Sequence, residues 1–318
     1  MALGGKKIGQ FGKIGVLMGG PSSEREISLK SGKAVYEALS QPGLNAAGID
    51  IKTDGKQENI RLIESCGIDV AFIALHGRFG EDGQIQEILD GMGIPYTGSG
   101  ARASRLAMDK TASRKIFEAS HLAVPGYRQI DKLSYGKDRK IQNGDFALPL
   151  VIKPATHGSS IGLSIVEKKE FLAGAIDLAF SFDDRVLIEE FVGGRELTVG
   201  ILEEKPLPVV EIIPKKGLFD YEAKYHAGMT EYVVPARLEE QIANNVQKAA
   251  LSAHKLLGCY GCSRVDIILS EDNTPFVLEV NTIPGFTATS LLPKAAKVAG
   301  MDFFQLCVKL LELAYAKT

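Results

Sequence analysis

The chain has 318 residues, 45% hydrophobic and 24% charged, with a formal net charge of −2. That length exceeds one ordinary core and predicts two or three domains. The near-neutral balance argues against nucleic acid or an anionic membrane as partner, and no apolar run reaches the length of a membrane span or a signal-peptide core, so a cytoplasmic protein is expected.

Lys13 to Met18 reads as a strand, Gly19-Gly20-Pro21 as a break, and Ser23-x-x-Glu26 as a capping box opening a helix to about Ser40. Strands follow at Ala46 to Asp50 and at Asp69 to Leu75, then a helix from Gly83 to Met92 and a short strand at Pro95-Tyr96. This alternation predicts a parallel sheet whose ligand edge is formed by the loops after Gly19 and at His76-Gly77-Arg78. One helix is expected from Gly100 to Glu118, carrying Lys110. Beyond it the pattern turns strand-rich: Leu148 to Pro154, Leu163 to Val166, Val186 to Val192, Glu196 to Leu202 and Leu207 to Pro214, with a helix from Lys168 to Phe180. Residues 215–232 have no clean period and read as a functional lid. A helix from Leu238 to Leu257, a hairpin and two closing helices end the chain. The overall expectation is a mixed α/β, α+β protein in three parts: 1–103, 104–192 and 193–318.

The hairpin is the most informative segment. Ser263 to Leu269 and Phe276 to Asn281 are rich in β-branched residues and flank the turn-like Ser270-Glu271-Asp272-Asn273-Thr274. A turn centred between Asp272 and Asn273 sets Asp266 opposite Glu279 and Arg264 opposite Asn281, all on one face. Opposed carboxylates repel unless something neutralises them, and an all-oxygen set suits a hard cation such as Mg²⁺; the alternative is a solvated polar face. No G-x-x-x-x-G-K-[ST] occurs, so a P-loop is not expected. Gly98-Ser99-Gly100-Ala101-Arg102-Ala103 imitates a dinucleotide fingerprint but lies after the parallel units. Gly158 to Gly162 imitates a nucleophile elbow, yet a strand follows it where a helix is required. A glycine- and serine-rich link between two strands is better read as a flap over phosphates, with Lys110 and Lys153 as point charges. Glu189, Glu190, Phe191 and Val192 would suit adenine, and Glu196 a ribose hydroxyl. Cys259-Tyr260-Gly261-Cys262 lacks a second ligand pair for zinc and follows a helix, so its thiols are expected to be buried and idle.

Taken in order, Gly19 to Ser28, Ala74-Leu75-His76-Gly77, Tyr96 to Gly100, Met108-Asp109-Lys110, Lys153-Pro154, Gly158 to Gly162, Tyr221 to Tyr225, Arg264-Val265-Asp266 and Glu279 to Gly285 resemble the D-alanine-D-alanine ligases, which have the ATP-grasp fold. The resemblance runs from about Lys13 to Ala316. It implies that one D-alanine carboxylate attacks the γ-phosphate of ATP and that the amine of a second D-alanine attacks the resulting acyl phosphate. It implies two Mg²⁺ ions on Asp266, Glu279 and Asn281, with Mn²⁺ as a substitute. Glu24 would hold the first D-alanine ammonium beside His76, and Lys110, Lys153, Ser159 and Ser160 would meet phosphates. Lys224 and Tyr225 would belong to the lid, with Tyr225 linked through Ser159 to Glu24. Arg264 and the Gly285 backbone N–H would stabilise the oxyanion, and Ser290 and Leu291 would receive the second D-alanine. Tyr225 argues for an amine acceptor, since relatives that use D-lactate tend to carry Phe there. A homodimer is implied by the resemblance alone. A further carboxylate-amine or D-alanine-D-lactate ligase of this fold is the competing reading.

Overall fold

The computed structural model describes residues 11–138, 146–214 and 230–317. β1 (Ile14–Gly19) is the middle of a parallel sheet between β2 (Ala46–Ile51) and β3 (Val70–Ile73), and Ala71 adds a parallel bridge to Tyr96. Burial on both faces explains the unbroken apolar run of β1. One face is covered by α1 (Arg25–Ser40), and the other by α2 (Lys56–Cys66) and α3 (Gln84–Met92), whose Ile63, Ile85, Ile88 and Leu89 pack with Leu17, Ile49 and Ile73.

Three local expectations change here. Helix α2 escapes a periodicity reading because only Asn59 and Ile63 along it are buried, one turn apart. The capping box does not form: Glu24 is the N-cap of α1 and no side chain caps it. Ser22 instead accepts from the Glu24 N–H at 3.2 Å and donates to the His76 carbonyl at 2.7 Å. The long helix after Gly100 is two, α4 (Ala101–Met108) and α5 (Lys110–Ala119). Asp109 divides them because its side chain accepts from the Ala112 N–H at 3.0 Å, an N-cap geometry that ends one helix and starts the next.

The second sheet is antiparallel, ordered β4 (Tyr127–Asp131), β7 (Arg185–Glu190), β5 (Leu150–Pro154), β6 (Ser164–Val166), with α7 (Leu172–Phe180) on one face and α6 (Lys132–Asp138) beside β4. The third sheet runs β11 (Thr230–Val233), β10 (Val210–Pro214), β8 (Arg195–Leu202), β12 (Cys262–Leu269), β13 (Pro275–Asn281), and β9 (Lys205–Pro206) pairs with β8. Helix α8 (Glu240–Leu256) buries Val246, Ala250 and Ala253 against it. After β13 the chain returns to the first sheet. α9 (Leu291–Val298) and α10 (Phe303–Ala316) join Val35, Phe72 and Leu306 in one core, and Asp302 with Gln305 caps α10 reciprocally. Among the described residues no helix is long and apolar enough to cross a membrane.

Cys259 and Cys262 are buried, and burial pushes both thiols up to about 12, which leaves them protonated and unreactive at neutral pH. His254 on α8 is also buried, its Nδ1 2.7 Å from Ser263 Oγ, and burial holds it down to about 4. Between its unfolded value of about 6.5 and that folded value, only the unfolded chain takes up the proton. Stability from this site is therefore lost as pH falls through that window, by at most about 1.4 kcal/mol per pH unit. His254→Gln should flatten the decline in thermal midpoint measured between pH 6.5 and 4.5.

Candidate active site

A cavity of about 520 Å³ lies between the second and third sheets. Val151, Leu163 and Ile165 wall one side, Ile212, Ile268 and Leu278 the other, and Phe191 and Val192 line it beyond β7. Flat apolar walls on two sides suit a planar base. Lys110, Lys153, Ser160, Asp266 and Glu279 face the same cavity, as do Glu189, Glu190, Glu196, Arg195 and Glu211. The Glu190 carboxylate accepts from the Gly126 N–H at 2.9 Å, and Arg195 holds Glu211 through two bonds of 2.7 Å.

The polar end is built on the hairpin. Arg264 pairs with Asn281 and Asp266 with Glu279 in the β12–β13 register, and a bulge follows at Asp266/Ile267. The turn itself closes with Leu269 opposite Pro275, half a residue from the centre expected from the sequence, and the bulge restores Asp266 to its position opposite Glu279. Asp266 accepts from Thr198 Oγ1 at 2.6 Å, from Arg264 at 2.8 and 2.7 Å, and from Asn281 Nδ2 at 3.0 Å. Lys110 Nζ lies 3.2 Å from Glu279 and donates to the His157 carbonyl at 2.7 Å. The opposed carboxylates are thus each neutralised by a cationic side chain. Two carboxylates and an amide in this register offer an all-oxygen donor set that fits a hard divalent ion.

Behind the phosphate end is a dry charge cluster. Lys153 on β5 is 3.1 Å from Glu189, and Glu189 is 2.8 Å from Arg114, which is fully buried on α5 and lies over the Tyr127 ring. Burial alone would raise the Glu189 carboxyl, but Arg114 and Lys153 outweigh it and hold Glu189 below the usual range. Burial lowers Lys153 to about 8, with Glu189 opposing and Arg114 and Lys110 adding to the depression.

The flap carries Ser159 and Ser160 at φ of 53° and 57°, left-handed backbone that is costly for a side-chain-bearing residue. Ser159 Oγ donates to the buried Glu24 carboxylate, joining the flap to the first sheet's loop edge. Gly77 is required beside them: at φ 72°, its Cβ would stand 2.7 Å from Glu24 Oε2. His76 is buried one residue earlier, its Nδ1 3.1 Å from the Ile283 carbonyl, two residues before Gly285. Ser290 precedes α9, which Leu291 begins, but makes no side-chain cap bond; its Oγ accepts from the Thr287 N–H at 3.0 Å. Lys224 and Tyr225 lie outside the described residues.

Two family models match: the one described as D-ala D-ala ligase C-terminus over residues 116–312, and the one described as D-ala D-ala ligase N-terminus over residues 57–99. The D-alanine–D-alanine ligase of Pelotomaculum thermopropionicum is 48% identical, covering 95% of this chain and 96% of the relative. The chain belongs to the D-alanine–D-alanine ligase family. The ligase of Geotalea uraniireducens is 47% identical with 96% of each chain covered. The crystal structure of D-alanine–D-alanine ligase from Bacillus anthracis complexed with ATP superposes with a TM-score of 0.84 at 33% identity, covering 96% of this chain and 98% of that one. VanG D-Ala:D-Ser ligase from Enterococcus faecalis superposes at 0.81 and 32% identity, covering 96% and 100%. The fold is therefore ATP-grasp.

For a ligase of this family, the residue that sequence reading passes over is Arg114. Its signal was present: it follows Lys110 by four residues on α5, so both share a face, and Lys110 on that face lines the cavity. Thr198 was equally silent, because a Thr in a buried strand reads as a β-former. Arg114→Met should destabilise the fold by about 3–5 kcal/mol, since it leaves Glu189 buried with one cation, and denaturant unfolding measures this. Lys153 is charged below its pKa, so kcat/KM for ATP should fall by about tenfold per pH unit above about 8. Lys153→Arg, which stays charged, should remove that alkaline limb from the kcat/KM profile.

Proposed function

We propose that the chain joins two D-alanine molecules into D-alanyl-D-alanine for peptidoglycan precursor synthesis, converting ATP to ADP and phosphate. The observation that carries this reading is identity of 47–48% to D-alanine–D-alanine ligases over 95–96% of the chain. Residues 1–103 would form the substrate part, and 104–192 with 193–318 the two halves that grip ATP. A cytoplasmic homodimer belongs to the same proposal.

Glu24, beside His76, takes the ammonium of the first D-alanine and aims its carboxylate at the γ-phosphate. A carboxylate oxygen bonds to phosphorus while ADP leaves with the P–O electron pair. Lys110, Lys153, Ser159 and Ser160 hold phosphate oxygens in line, the Glu189 to Val192 backbone takes adenine, and Glu196 takes the ribose. Asp266, Glu279 and Asn281 would hold Mg²⁺, or Mn²⁺ in its place, which supplies charge neutralisation to the phosphate oxygens. The second D-alanine, bound through Ser290 and Leu291, then attacks the acyl carbon. Arg264 and the Gly285 N–H stabilise the oxyanion, since preoriented donors in a dry site act without reorganising. Lys224 and Tyr225, outside the described residues, would belong to a lid that keeps water from the acyl phosphate.

The deciding experiment is ADP release at neutral pH with Mg²⁺ and ATP, comparing D-alanine, L-alanine, D-alanine with D-lactate or D-serine, and no amino acid. Turnover on D-alanine alone, giving the dipeptide by mass and abolished by EDTA, is the expected outcome. A mixed product formed in preference to the dipeptide would instead assign another acceptor.

A further inference from the structure

The oxyanion donor at Gly285 sits on a loop with no regular structure, between β13 and α9, so something other than a hydrogen-bond ladder must fix its direction. Two buried side chains from the first sheet's side reach this loop. Ser31, on α1 and only 1% exposed, accepts from the Phe286 N–H at 3.2 Å and lies 2.9 Å from His76 Nε2. His76 Nδ1 meets the Ile283 carbonyl at 3.1 Å. A carbonyl can only accept, so Nδ1 carries a ring proton, with Glu81 Oε1 also 3.5 Å from it; in the neutral ring Nε2 then accepts from the Ser31 hydroxyl. One unbroken chain of bonds therefore runs from the Phe286 N–H through Ser31 and His76 to the Ile283 carbonyl. It holds the loop on both sides of Gly285.

We propose that Ser31 is a positioning residue for the second chemical step, acting through the Ile283–Phe286 backbone to aim the Gly285 N–H; this rests on the reading of Gly285 as an oxyanion donor. In that step the amine nitrogen bonds to the acyl carbon and the carbonyl π pair moves onto oxygen. Collapse then expels phosphate with the C–O pair, and phosphate takes the proton the nitrogen sheds. The oxygen is charged only between those two events, so a donor displaced by a fraction of an ångström costs rate and leaves ATP binding untouched. The apolar anchor of the loop is separate: the Phe286 ring packs on Phe72 at 5.3 Å and Phe303 at 5.6 Å, and it secures the segment without setting the peptide plane next to Gly285.

The same helix supplies a matched control. Ser28, buried one turn earlier, donates to the Ala74 carbonyl at 2.7 Å, a bond of the same kind with no link to the loop. Ser31→Ala should lower kcat for dipeptide formation by about tenfold or more while KM for ATP stays within about twofold. Ser28→Ala should lose similar thermal stability and keep kcat within about twofold. Should Ser31→Ala fail to fold, Ser31→Cys conserves the volume while substituting a weak donor, and the same fall in kcat is expected. A Ser31 variant whose kcat matches Ser28→Ala, or whose KM for ATP rises as much as kcat falls, would overturn the assignment. Absence of dipeptide synthesis by the unmodified protein would instead overturn the ligase reading, so the two failures are distinct.

Discussion

Two lysines are buried at the floor of the cleft, each against a carboxylate, and much of the site follows from that constraint. Lys110 and Lys153 are 5% and 8% exposed, and an isolated ammonium at such depth would lose its proton before it bound a phosphate. Each is given a carboxylate, Glu279 and Glu189. The two carboxylates differ in what else they hold. Glu189 is paired a second time, with Arg114, inside the protein, so it is a fixed counter-charge. Glu279 faces Asp266 on an edge that opens to the cavity. Under the proposed function, a triphosphate and a divalent cation entering there would replace these internal ion pairs with new ones of the same sign pattern and leave no charge stranded.

That bookkeeping also explains the bulge in the hairpin. Without it, the turn's closure would place Leu278 opposite Asp266. The extra residue brings Glu279 opposite Asp266 and leaves Leu278 among the walls of the cavity, so apolar and acidic groups from adjacent positions serve one site.

Much of this was legible in the sequence because it depends on local patterns. β-branched runs marked the hairpin strands, and strict alternation put Arg264 with Asp266 and Glu279 with Asn281 on one face. The flap was readable from its small residues and the strand that follows. What escaped depends on partners distant in sequence. Arg114 looks like one more helical surface cation until Glu189 is packed beneath it. The expected Ser23–Glu26 capping box does not form: the helix starts one residue later, with Glu24 as its N-cap, and Ser22 and Glu24 are bonded to the turn at His76-Gly77 and to the flap. Helix α2 carries too little buried surface to announce its period, and Asp109 splits a helix through one side-chain bond that composition cannot distinguish from an ordinary acidic position.

The path of the chain after β13 ties these parts together. Ile283 and Phe286 are buried against the first sheet, Ile283 in the cluster of Leu17 and Ile73 and Phe286 against Phe72 and Ser31 of α1. The loop bearing Gly285 is thus gripped by the first sheet and α1 while its root remains in the acidic hairpin. Peptide-bond formation requires the amine, the acyl carbon and the oxyanion donors to share one frame, although under the proposed function the first D-alanine and the nucleotide would be bound by different parts of the chain. A loop anchored at both ends supplies that frame, since any opening between the first and third sheets would have to break the buried bonds at Ser31 and His76. The flap is held to the first part differently, by the Ser159 bond to Glu24 and an Arg78 bond to Thr156, with Ser159 and Ser160 on left-handed backbone, so under the proposed function opening to admit substrates would cost least there.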